Sequence, residues 1–194
     1  MRYDRLTRWL HAGIALGVTI QLGLSLFMEA PDDKDEKMVT GLPLELFEMH
    51  EKAGMILLVL LVLHWLWSLS GHVQGGVGQL FPWFSKERMT NVMSEAKDAL
   101  NFNLPDPATS NNALAGAVHG LGLLVATGMA ASGAVIFFNL SETGHMTDLG
   151  ETFHDIHGVI AQFMWLYLIG HVAIAAAHVR RGHTSVKEIF SLLN

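Results

Sequence analysis

His154-Asp-Ile-His157-Gly-Val-Ile-Ala-Gln-Phe-Met-Trp-Leu-Tyr-Leu-Ile-Gly170-His171-Val-Ala-Ile-Ala-Ala-Ala-His178 is the stretch on which the reading of this chain turns. Between His157 and His171 it is almost wholly apolar, and with its flanks it is about long enough to cross a bilayer core. The two histidines are 14 residues apart. On a helix that is about 21 Å of rise and nearly four whole turns, so both rings point the same way at two levels. A histidine inside an apolar span is costly and asks for a partner.

A second segment offers one. His50 and His64 are also 14 residues apart, on Met49-His50-Glu-Lys-Ala-Gly54-Met-Ile-Leu-Leu-Val-Leu-Leu-Val-Leu-His64-Trp-Leu-Trp67. Two helices with this spacing can hold matching histidine pairs at matching heights. Neutral imidazole is an axial ligand of haem iron, and helical bundles build such sites from facing helices. The expectation is two stacked bis-histidine haems. The 194-residue chain has no cysteine, which excludes disulfides, thiolate metal sites, iron–sulfur clusters and covalently attached haem. Any haem is therefore held non-covalently, as haem b.

The chain is 51% hydrophobic and only 15% charged. That balance predicts an all-α integral membrane four-helix bundle, a single domain over residues 1–194, with spans at about 9–28, 50–69, 114–140 and 157–178. Three arginines precede the first span, which is read as uncleaved; its Gly13 and Gly17 suit close helix packing or room for a cofactor. An acidic loop from Glu29 to Lys37 follows, then the second span, closed by Trp65 and Trp67 at a membrane interface. In the polar stretch from Gly71 to Asn112, residues Ser85 to Leu100 carry Met89, Val92, Met93, Ala96 and Leu100 at helical spacing, the pattern of an amphipathic helix on the membrane surface. The third span carries His119 near its start. Ser141 to Asp155 reads as a second acidic loop.

Basic residues set the orientation. The N-terminus, the 71–112 loop and the C-terminal tail each hold three Lys or Arg, against Lys34, Lys37 and Lys52 in the other loops and their flank. The positive-inside rule then places both termini and the second loop in the cytoplasm. Twelve acids and three lysines face outside. With this topology His50 and His157 lie near the outer face, and His64, His171 and His11 near the inner one. The outer haem has one obvious pair. The inner has two contenders opposite His171, namely His11 and His64.

Tyr3-Asp-Arg-Leu-Thr-Arg-Trp-Leu-His11, His50-Glu-Lys-Ala-Gly54 and the His157 to Gly170-His171 segment resemble the bacterial cytochrome b561 family, within the wider group of four-helix dihaem cytochromes b that serve hydrogenases and formate dehydrogenases. The resemblance implies that His50 and His157 bind the outer haem and His11 and His171 the inner one. His64 departs from the family pattern, where a basic residue, often arginine, is common; it is read as a haem-propionate partner or part of a quinone pocket. That pocket would be lined by His64, Trp67, His119 and Arg8. Arg8, Lys52, Arg180 and Arg181 lie close in sequence to the ligands and suit propionates. Gly54, Gly158 and Gly170 leave space for a flat macrocycle or for close packing. His145 and His154 are solvated loop residues or, with His157, a surface metal site; His72, His178 and His183 are interfacial.

The function this implies is electron transfer in a bacterial inner membrane between quinone and a periplasmic redox partner, which the acidic outer face suggests is a basic c-type cytochrome. Two other classes are open: a superoxide oxidase that passes the electron to quinone, disfavoured by an anionic outer face, and a membrane anchor subunit for a dehydrogenase or hydrogenase. The expected partners are lipid, quinone and the redox protein, with no nucleic acid.

Overall fold

A computed structural model describes residues 4–31, 39–71, 76–101, 103–104, 113–141 and 143–191. Much of the first acidic loop, from Asp32 to Lys37, lies outside the described residues, as do His72 and Glu142. The described chain is helical, with no strand and one isolated bridge between Leu140 and Met146. In order come α1 (Arg5–Leu24), α2 (Leu42–Leu69), a short α3 (Gly76–Leu80), a 3-10 turn (Pro82–Phe84), α4 (Lys86–Leu100), α5 (Ala113–Asn139), α6 (Asp148–Arg180) and α7 (Ser185–Ile189).

Helices α2, α5 and α6 are long and apolar enough to cross a membrane. Helix α1, expected as a span over 9–28, is not among them: it ends at Leu24, and Arg8, His11 and Gln21 dilute its apolar run. The outward residues of α6 include Val159, Phe163, Leu166, Ile169 and Val172, all more than half exposed. Their spacing of three and four leaves the stripe through His157, Met164 and His171 for the inside, and Met164 is buried. So large an exposed apolar face belongs against lipid rather than water.

The helix ends follow local chemistry. Asp4 caps α1, its carboxylate accepting from the Thr7 amide (2.9 Å) and the Thr7 hydroxyl (2.6 Å). Burial disfavours the charge on Asp4, but these bonds outweigh it and hold the carboxyl below its ordinary range. Helix α2 starts at Leu42, eight residues ahead of His50, with Pro43 in the first turn, where a missing N–H costs little. Helix α6 starts at Asp148, so the second half of the expected Ser141–Asp155 loop is helical. Thr147 caps it, its hydroxyl accepting from the Gly150 amide at 3.2 Å, and Asp148 and Glu151 stand in the first turn, where carboxylates favour the positive helix end. Helix α4 covers the expected amphipathic segment, capped by Ser85, with Met93 and Leu100 strongly exposed and Val92 and Ala96 half-buried.

Candidate metal centres

The chain divides into two compact units: Met1–Ala12, Leu63–Leu124 and Leu166–Asn194 form one, and Gly13–Val62 with Val125–Trp165 the other. Each brings together histidines from different helices.

In the second unit, α2 presents His50 and α6 presents His157, with ring centroids 6.4 Å apart and planes at 83°. Helix α5 supports His157 through Ser132, which is 2% exposed. The Ser132 hydroxyl lies 2.8 Å from the Gly128 carbonyl, 3.0 Å from the Met129 carbonyl and 2.9 Å from His157 Nδ1. Beside it, Gly133 leaves room for the ring: a methyl there would stand 3.3 Å from His157 Cε1. On the other side, Gln21 of α1 donates from Nε2 to the His50 carbonyl at 2.8 Å, and Gly54 admits that amide, since a methyl would meet it at 2.8 Å.

In the first unit, His11 of α1, His119 of α5 and His171 of α6 bring one ring nitrogen each within 4.8 Å of one another. Among the described residues this is the one group of three ligand side chains so placed. The His11 and His171 centroids are 6.4 Å apart, those of His11 and His119 5.9 Å, and those of His119 and His171 5.2 Å. His119 Nδ1 lies 2.7 Å from the Ala115 carbonyl. A carbonyl only accepts, so the proton is on Nδ1 and the lone pair on Nε2. Tyr167 stacks on His171 at 5.4 Å and 15°, and Phe190 meets the edge of His11 at 5.6 Å. Gly122 is where α5 yields to Tyr167, since any methyl would overlap that ring. Arg8 is buried at 3% exposure, with its guanidinium donating to the Ser191 carbonyl.

His64 stands apart from these ring contacts; its Nδ1 is 3.3 Å from Ser68 on its own helix. Trp67 donates to the Thr7 hydroxyl at 3.1 Å. Lys52 pairs with Glu48 at 2.9 Å on the exposed side of α2, and Arg180 and Arg181 are exposed at the end of α6. His154 is exposed, its Nδ1 3.9 Å from the Asp155 carboxylate, and His145, His154 and His157 form no cluster of ligand atoms. Nothing stands within 4 Å of where a methyl on Gly158 or Gly170 would be, which excludes tight packing against described residues as their role.

The histidine pairs fit haem on geometry. A metal–imidazole bond is about 2.0–2.1 Å, so two rings on opposite sides of one iron have centroids roughly 6–6.5 Å apart once half of each ring is added. His50 with His157 meets that distance, and so does His11 with His171; His11 with His119, at 5.9 Å, lies at its short edge, and the 5.2 Å between His119 and His171 falls outside it. Buried imidazole nitrogens are normally satisfied, yet His11 Nδ1 and His50 Nδ1 have no hydrogen-bond partner among the described residues. Ser132 and Gln21 were legible only as polar residues inside apolar spans, a signal that marks interhelical bonds without naming their partners.

A family model described as prokaryotic cytochrome b561 matches residues 2–191. Among curated proteins and solved structures nothing matches the chain.

Proposed function

The chain belongs to the prokaryotic cytochrome b561 family of membrane b-type electron-transfer cytochromes, and on that premise we propose that it holds two haems b and carries electrons between the quinone pool and a periplasmic redox partner. The observation that carries this reading is the repeated 6.4 Å separation, once for His50 with His157 and once for His11 with His171. Haem, when bound, supplies the one-electron ferric–ferrous chemistry. The protein's part is to hold and insulate. His50 and His157 would hold one haem, and His11 and His171 the other. Tyr167 fixes the plane of His171, and buried Arg8 supplies a cation for a propionate in the same unit as His11.

The quinone head group is assigned to the His11 and His171 unit, where His119, His64 and Trp67 give polar atoms beside apolar walls. The four long helices form the bundle, in the inner membrane, with both termini in the cytoplasm and α4 on the membrane surface. Haem b per polypeptide in detergent-purified protein tests the reading. A ratio near two is expected, falling to near one in His157→Ala and in His171→Ala; well-folded protein without haem would overturn it.

A further inference from the structure

We infer that Ser132 is a positioning residue for the haem held by His50 and His157: it fixes the proton of His157 on Nδ1 and lowers the potential of that haem alone. The inference rests on the proposed assignment of His50 and His157 as axial ligands.

A hydroxyl has one hydrogen to give. The carbonyls of Gly128 and Met129, at 2.8 and 3.0 Å, can only accept, so the Ser132 hydrogen is committed to its own helix. The contact at 2.9 Å with His157 Nδ1 is then a bond in which His157 donates and the Ser132 oxygen accepts. With the proton on Nδ1, Nε2 carries the lone pair that would bind iron. The bond also fixes the ring's rotation about its Cβ–Cγ axis, because Ser132 is buried on a rigid helix and Gly133 gives the ring's Cε1 edge only a methyl's width of clearance.

The bond has an electronic consequence. A ligating imidazole that donates its other N–H becomes a better electron donor to the metal. Electron donation favours ferric over ferrous iron and lowers the potential. The opposite ligand lacks this support: His50 Nδ1 has no hydrogen-bond partner among the described residues. The asymmetry makes the Ser132 bond, which His157 has beside the Met129 carbonyl, the adjustable side-chain contact of the pair. Nothing equivalent reaches His171, whose described contacts are aromatic rings.

The test is redox titration, with haem counting, of purified protein carrying Ser132→Ala or Ser132→Thr. Ser132→Ala is expected to keep both haems and move one of the two midpoints upward. At a fixed ambient potential near that midpoint, the ferrous-to-ferric ratio of that haem would rise roughly three- to tenfold, the size of one net hydrogen bond. Ser132→Thr keeps the hydroxyl and should restore the midpoint. Two unmoved midpoints with two haems present would overturn the inference and leave the haem assignment standing. A His157→Ala variant that kept both haems would instead overturn the assignment. Should Ser132→Ala lose haem on purification, Ser132→Thr decides: a normal haem count and midpoint supports the hydroxyl's role, and a shifted midpoint opposes it.

Discussion

At the scale of single residues, the problem this molecule poses is that three imidazoles meet where two suffice. The His11 and His171 centroids are 6.4 Å apart, within the range expected for a shared iron, whereas those of His119 and His171, at 5.2 Å, fall short of it. His64 is engaged with Ser68. His11→Ala is therefore expected to lower the haem count from about two to about one, and His64→Ala to leave it unchanged, both read by haemochrome spectra against amino-acid analysis. A His64→Ala protein with one haem would reverse the assignment. His119→Ala should retain both haems and alter quinone turnover instead, since its Nε2 lone pair is free to accept a bond from a ligand. Spacing alone singled out His50, His64, His157 and His171, because 14 residues of helix repeat an azimuth. It could not choose between His11 and His64, which sit at the same depth. Nor could it aim His119: the rotation of α5 about its own axis is set by Gly116, Gly120 and Gly122 closing on Gln79, Leu80 and Tyr167, contacts formed only in three dimensions.

At the scale of elements, α2 and α6 begin well ahead of their expected spans because apolar runs report what lies in lipid, not where hydrogen bonding starts. The acids at Asp148 and Glu151 read as loop residues, yet at an N-terminus they complement the helix dipole, and Thr147 ahead of them is a cap. The same logic connects α4 to α5, whose first amides, Leu114 at 2.9 Å and Ala113 at 3.4 Å, donate to the Glu95 carboxylate. Glu95→Ala should lower stability by about 1 kcal/mol, as for a lost cap, measured by thermal unfolding in detergent. Glu95→Gln, which keeps an acceptor, should cost less. Asp4 adds a pH dependence at the start of α1. Its carboxyl is held below the ordinary range by the Thr7 bonds. The stabilisation is therefore complete above the unfolded group's range and is lost as pH falls through the depressed value. Wild-type protein should lose stability to acid more steeply than Asp4→Asn, and parallel acid titrations of the two would remove the idea.

At the scale of the whole molecule, the proposed docking of a basic periplasmic partner rests on charge. Twelve carboxylates against three lysines fall on the loops read as external, while the other nine basic residues lie at the termini and in the 71–112 loop. Lys52, paired with Glu48, cancels one of those negative charges where it stands. Such a surface draws a basic protein in from a distance and orients it before contact, which raises the association rate rather than the strength of the final complex. Screening acts on that long-range part first, because the Debye length shrinks to about 8 Å at 0.15 M salt. Electron exchange with a basic c-type cytochrome is therefore expected to slow by roughly tenfold between low and physiological ionic strength, with the haem midpoints nearly unchanged because the proposed ligands stand within helices. Stopped-flow mixing at several salt concentrations measures this directly. Neutralising Glu48 and Glu51 together should flatten the salt dependence in proportion to the charge removed, since both stand on the turn that carries His50. A rate indifferent to salt would mean that the acidic loops do not guide the donor or acceptor, and docking would then have to rest on apolar contact at the exposed ends of the helices.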